Sequence, residues 1–333
     1  MRRPLIALAA ATAAALALAG CSAGTSTDEP TDAASGPAVE EGAYPATIPT
    51  LFGDVEITEQ PTTIVALGWG DAETVLALGG QPVGASDWLG FGGEGVGPWA
   101  EGLYDQAPTI IETLEPDYEA IAALEPDLIL DVKGSGEQDR YDRLSEIATT
   151  IGVPEGGESY LTTPAQQLEM ISAALGVPQA GADLATEIDD AFTAAADAHP
   201  EWEGLTATAA TRTSEGWGAY IDGTERVEFL ERLGFVLNPA IAAMEPSDGG
   251  FSVNVSQEEL DTFDADLIIA FPIFIESSEI TDDPQWQAIP AVAEGHAVVI
   301  DGDISSAYSL GSPLSQLYAI DEVSGLIADA LGS

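Results

Sequence analysis

Cysteine and histidine are almost absent from these 333 residues: Cys21 stands alone, and His199 and His296 are the only histidines. A single cysteine excludes an intramolecular disulfide and any cysteine-built zinc or redox centre. Two isolated histidines argue against a site for bare zinc or manganese, which needs clustered imidazoles and carboxylates. Beyond residue 24, at the end of the signal region, no Gly-x-Ser-x-Gly, His-Glu-x-x-His or Cys-His arrangement is present. Hydrolytic chemistry therefore has no nucleophile, and an enzyme is not expected. Basic residues are scarce too: eight stand against 57 acidic ones, a formal charge of −49. That balance argues against nucleic acid as a partner. The acids are interspersed rather than blocked, the pattern of a solvated acidic surface.

The only long apolar run is Leu5 to Ala19, behind Arg2 and Arg3. It is short for a membrane span and has the layout of a secretory signal, so residues 1–20 are expected to be removed on export. Its loss leaves six basic residues against 57 acidic ones, a charge of −51. Leu18-Ala-Gly-Cys21 resembles the bacterial lipobox, in which the cysteine is lipidated and becomes the new N-terminus. Several acyl chains on one residue anchor a protein stably where one does not. Residues 21–49 then read as the lipidated cysteine and a disordered tether, because Ser, Thr, Gly, Pro, Asp and Glu dominate up to Ala46. The expected location is the outer face of the bacterial cell membrane.

Pro178 to His199 is the longest helical pattern of the remaining chain. Leu184, Ile188, Ala191, Phe192 and Ala195 recur at helical spacing, with Asp183, Glu187, Asp190 and Asp197 on another face. About 20 residues at 1.5 Å each make a rod roughly 30 Å long. It separates two stretches of alternating strand and helix signals, residues 50–177 and 201–333. Buried-strand runs appear at Thr63 to Leu67, Leu128 to Val132, Thr206 to Thr213, Leu267 to Ala270 and Ala297 to Ile300. Helical patterns fall at Asp71 to Leu78, Tyr118 to Leu124, Gln138 to Ile147, Pro164 to Leu175, Arg226 to Leu233, Gln257 to Phe263 and Leu314 to Leu331. Glu119 to Leu130 aligns with Glu258 to Ile269 at a constant offset, a short helix turning at an Asp into a buried strand. The predicted fold is α/β: two Rossmann-like lobes with parallel-type sheets, joined by one long helix at 178–200, with a ligand cleft between them.

Residues at the carboxyl ends of parallel strands face the crevice in open α/β sheets. That rule selects Trp69, Trp88, Lys133, Arg212 and Phe271, the loop carrying Trp217 and Tyr220, and Tyr308 from the loop before the last helix. Aromatic walls suit a bulky ligand with an apolar exterior, and cations suit anionic oxygens. Gly90 to Gly95 matches the dinucleotide pattern G-x-G-x-x-G, but Pro98 blocks the following helix and Glu94 lies where a pyrophosphate would sit. It reads as a mobile loop at the cleft mouth.

Gly53-Asp-Val-Glu-Ile-Thr58, Pro61 to Leu67, Ala77-Leu-Gly79 with Pro82-Val-Gly84, and Glu119 to Leu130 together resemble the substrate-binding lipoproteins of bacterial ABC importers for ferric siderophores, a group that includes cobalamin and haem binders. In the second half Arg226 to Gly234, Asp266 to Ile269, Trp286 to Val292 and Val298 to Asp301 extend the resemblance to about residues 50–332. It implies a monomer that captures a ferric chelate and delivers it to a membrane permease, with no cofactor and with iron present only inside the chelate. It also implies permease docking through one exposed acid per lobe, by position Glu119 and Glu231, with Glu73 and Glu228 in reserve. So few cations fit a neutral or cationic hydroxamate chelate better than a tri-anionic catecholate. Two alternatives stay open: the same fold holding cobalamin, haem or another metal chelate, and a cell-surface interaction protein without small-molecule transport.

Overall fold

The computed structural model describes residues 36–247 and 250–332; Cys21 and the signal segment lie outside them. Among the described residues no helix is long and apolar enough to cross a membrane.

The N-terminal lobe opens with an antiparallel hairpin of β1 (Ala46–Thr50) and β2 (Gly53–Ile57). A parallel sheet follows, from β3 (Ile64–Ala66), β4 (Gly84–Ser86), β5 (Thr109–Ile111), β6 (Leu128–Leu130) and β7 (Thr149–Ile151), in the order β5-β4-β3-β6-β7. Its helices are α1 (Asp71–Ala77), α2 (Tyr118–Ala123), α3 (Gln138–Ser145) and α4 (Pro164–Ala174). Every residue of β3 and β6 is buried, because helices cover both faces. Alternation sorts them: Ile64, Ala66, Leu128 and Leu130 pack with Val75 and Ile171, while Val65 and Ile129 pack with Ile121 and Leu144.

The predicted strut is α5 (Pro178–Ala198). Leu184 packs against the cores of both lobes, and Ile188 and Phe192 are buried in that of the second. A Cβ at Gly181 would lie 2.3 Å from Ser172 Oγ, so glycine lets α4 and α5 approach. The expected tether is corrected at its C-terminal side, since residues before 50 are held to the lobe. Glu40 accepts hydrogen bonds from the Gln179 and Ala180 amides at 2.9 Å, satisfying two free donors at the start of α5. The Tyr44 hydroxyl donates to the Ala174 carbonyl at 2.9 Å, and Gln60 Nε2 to the Pro37 carbonyl at 2.7 Å.

The C-terminal lobe contains β8 (Thr206–Arg212), β9 (Trp217–Tyr220), β10 (Val236–Leu237), β11 (Ser252–Val255), β12 (Leu267–Pro272) and β13 (Ala297–Val299). The sheet runs β11-β9-β8-β12-β13, with β10 also on β8. Its helices are α6 (Glu225–Arg232), α7 (Pro239–Ala242), α8 (Ser278–Thr281), α9 (Pro290–Glu294), α10 (Gly302–Leu310) and α11 (Pro313–Leu331). Two expectations need correction. The sheet is mixed: β9 runs antiparallel to β8 because only Thr213 to Gly216 connect them, too few for a parallel crossover. The loop before the last helix is itself helix α10. The 257–263 helix is present as a 3₁₀ segment.

The aligned repeat has a shared joint. Asp127 accepts from the amides of Thr62 and Thr63 at 2.8 and 3.0 Å, clamping the chain into β3. Asp266 accepts from the Thr206 amide and hydroxyl at 2.7 Å, clamping β8. Those bonds hold the Asp266 carboxyl below its ordinary pKa.

Candidate functional site

The carboxyl ends of β3 and β6 are tied by one buried carboxylate. Asp71 Oδ2 accepts from the amides of Gly68 at 3.0 Å and Val132 at 2.9 Å, and Oδ1 accepts from Gln167 Nε2 at 2.6 Å. A Cβ at Gly68 would lie 2.4 Å from Asp71 and 2.7 Å from the Lys133 amide, so this junction requires glycine. Burial pushes the Asp71 carboxyl up to about 6, against the pull of Gln167.

That junction presents Trp69 and Lys133 to a cavity of about 460 Å³ between the lobes. Trp88 joins them, its indole donating to the Leu67 carbonyl at 2.9 Å. Its ring meets Trp69 at 5.5 Å and Tyr160 edge-on at 5.2 Å. The facing wall comes from the second lobe. Tyr220 stacks with Phe271 at 5.8 Å, and the Arg226 guanidinium lies 4.4 Å from the Tyr220 ring centre and 5.7 Å from that of Phe271. Among the described residues Arg226 Nε is buried without a hydrogen-bond partner. Glu225, Glu228 and three serines of α10, Ser305, Ser306 and Ser309, complete much of this side.

Three non-glycine residues lining the cavity hold left-handed backbones: Ser159 at φ 58°, Tyr160 at 65° and Phe274 at 56°. Such conformations are costly and persist where surrounding contacts impose them. Here the Ser159 and Tyr160 amides donate to the Ser135 and Gly134 carbonyls at 2.9 and 3.1 Å. The Phe274 side chain is fully exposed at the rim.

Polar contacts bridge the lobes beside the cavity. The Lys133 ammonium pairs with the Glu225 carboxylate. The Trp69 indole donates to the Leu310 carbonyl at 3.0 Å. Glu73, on α1, accepts from Trp99 Nε1 at 2.6 Å, from the Gly97 amide at 3.1 Å and from the Ser312 hydroxyl at the head of α11. Burial raises the Glu73 carboxyl. Burial, and then nearby Arg226, lowers Lys133 to about 7, with Asp71 and Glu228 opposing; direct contact with Glu225 favours the ammonium form.

Five sequence-selected residues, Trp69, Trp88, Lys133, Tyr220 and Phe271, line this cavity, and three do not. Arg212 turns back on its own hairpin, donating to the Thr213 carbonyl at 2.9 Å. Trp217 is buried in the second lobe's core, stacked on Trp286 at 5.4 Å. Tyr308 is buried behind the wall, and its hydroxyl donates to the Arg226 carbonyl at 2.6 Å. Arg226, Tyr160, Glu225 and Phe251 also line it and lie outside the reach of the strand-end rule, and Glu228, expected as a docking reserve, is a cavity residue. Glu119 is exposed in the first turn of α2 and Glu231 in the last turn of α6. Partial burial, Asp222 and Glu228 raise the Glu231 carboxyl. Glu73 is buried and offers no docking surface.

Gly90 to Gly95 is pinned rather than free: Asp87 accepts from the Phe91 and Gly92 amides at 3.0 and 2.8 Å, and Phe91 meets Trp99 edge-on at 5.7 Å. His199 stacks on Trp202 at 4.0 Å, away from the cavity lining.

A Bacillus subtilis (strain 168) protein named "Probable siderophore-binding lipoprotein YfiY" is 25% identical over 282 residues, covering 80% of this chain and 82% of that protein. The crystal structure of a periplasmic solute binding protein from Mycobacterium smegmatis superposes with a TM-score of 0.76 at 26% identity, over 86% of this chain and 99% of that one. Streptococcus pneumoniae PiaA in complex with ferrichrome gives 0.73 at 25% identity, again over 86% and 99%. The sequence model described as "Periplasmic binding protein" matches residues 64–304, the span holding both central sheets and nearly the whole cavity wall, and the chain belongs to that family.

Proposed function

We propose that this chain is the extracytoplasmic binding lipoprotein of an ABC importer, which captures a ferric siderophore and passes it to a permease without making or breaking a covalent bond. The observation that carries this reading is the cavity between the lobes, with aromatic walls and a few placed charges. The siderophore-binding name of the Bacillus relative and the ferrichrome in the Streptococcus structure support the ligand class. Lys133 and Arg226 are matched there by Glu225 and Glu228. A neutral ferric trihydroxamate suits that balance better than a tri-anionic catecholate, which leaves its charge unmatched beside two carboxylates. Iron enters only within the chelate, and the protein has no resident cofactor.

The chain acts as a monomer anchored through lipidated Cys21. Glu119 and Glu231 meet basic residues of the permease, where exposed acids on each lobe fix orientation and association rate. The test is titration of the purified protein with ferric hydroxamates, ferric catecholates, haemin and cobalamin, followed by tryptophan fluorescence. Trp69 and Trp88 should report sub-micromolar binding of a hydroxamate. No response to any chelate from folded protein would overturn the transport reading.

A further inference from the structure

Lys133 is the most deeply buried cation of the cavity, 4% exposed, and its charge is already met. The Glu225 carboxylate touches the ammonium, and its seat is built. Glu225 opens α6 and lies against Gly311, which ends α10 at φ 73°; a Cβ there would come within 2.6 to 2.8 Å of the carboxylate group. Two elements of the second lobe thus hold an anion on a cation of the first. The adjacent Arg226 differs in having no counter-ion: among the described residues no carboxylate is paired with it, and its guanidinium lies over aromatic rings. The cavity therefore offers one neutralised cation and one open one.

We propose that Glu225 is a specificity-determining residue, an internal counter-ion that a ligand's anionic oxygens must displace to reach Lys133. This rests on the siderophore reading and deepens it. A neutral chelate is held by the aromatic walls and Arg226 and leaves the pair intact. An anionic chelate exchanges one carboxylate partner of Lys133 for another anion, gains little, and meets repulsion from the displaced Glu225 and from Glu228. Selectivity then comes from a built-in competitor rather than from an added attraction.

The test titrates wild type, Glu225→Gln and the double variant Lys133→Met with Glu225→Gln against ferrichrome, a neutral trihydroxamate, and ferric enterobactin, a tri-anionic catecholate. Glu225→Gln is expected to tighten ferric enterobactin by about tenfold or more, and to change ferrichrome by less than about threefold. The double variant, checked for folding by its melting temperature, should lose that gain. If Glu225→Gln does not fold, Glu225→Asp, one methylene shorter, should give a smaller gain of the same sign. Equal changes for both chelates, or ferrichrome bound normally with no gain for the catecholate, overturn this inference alone. Failure of every protein to bind either chelate overturns the siderophore reading and the inference with it.

Discussion

Replacing Arg226 by glutamine separates the cavity's open cation from the arginine that strand-end reasoning selects. The Arg226 guanidinium stands 4.4 Å from the Tyr220 ring centre, and its Nε has no hydrogen-bond partner among the described residues. A ligand oxygen bonded to it gains a charge-assisted hydrogen bond, worth roughly 1.5 to 3 kcal/mol. Losing that bond weakens a ferric trihydroxamate by about 10- to 150-fold. Fold stability should change little. The substitution removes a stacking contact worth about 0.5 to 2 kcal/mol, but also a buried nitrogen that nothing satisfies. The Arg226 carbonyl still receives the Tyr308 hydroxyl, so α6 keeps its anchor. Arg212→Gln is the control, since Arg212 lies outside the cavity lining and bonds its own turn. Fluorescence titration of both variants decides the matter. A full loss in Arg212→Gln with normal binding in Arg226→Gln would refute the assignment.

Trp217→Ala removes a ring stacked on Trp286 in the second core and should cost about 3 to 5 kcal/mol in denaturant unfolding, while the folded fraction keeps its ligand affinity. Ser312→Ala deprives buried Glu73 of a donor and α11 of its N-cap, whose Oγ accepts from the Ser315 amide at 3.3 Å. Unfolding curves should show a loss of about 2 kcal/mol or more. Asp71 titrates near 6 in the fold against 3.8 ordinarily. The stability linked to its proton is fully present below pH 3.8 and lost as pH rises through 6. The stability of wild type relative to Asp71→Asn should therefore fall by roughly 2 kcal/mol between pH 4 and 7. A pH-independent difference would contradict the raised carboxyl.

Strand burial decides how much of this fold is legible. Thr63 to Leu67 and Leu128 to Val132 stand out because strands covered on both faces become uninterrupted apolar runs. β5 and β7 escape notice: each is three residues long and contains threonine, at the edges of the sheet. The β8–β9 hairpin is hidden differently, because Trp217 and Tyr220 read as a loop until the four-residue connection is given its geometry. The repeat at Asp127 and Asp266 is legible in sequence, but its cause is not. Each aspartate receives amides from a strand start about 60 residues upstream, and that pairing exists only in three dimensions.

The same limit governs the charges. Composition counts six basic residues after the signal, and global charge alone makes the whole molecule a poor host for anions. Screening weakens that field beyond about 8 to 10 Å at ordinary ionic strength, so it acts on approach rather than inside the cleft. Within the cavity four groups count: Lys133, Arg226, Glu225 and Glu228. Strand-end reasoning reaches Lys133, which follows a parallel strand, but misses the other three because they belong to α6, where a charged residue reads as a solvated helix face. Three of these four charges sit in the first half of one helix. Moving α6 against the first lobe therefore changes the Lys133 pairing and the position of Arg226 together. Substitutions that shift α6, such as at Tyr308 behind it, whose hydroxyl donates to the Arg226 carbonyl, should therefore alter ligand preference as well as affinity.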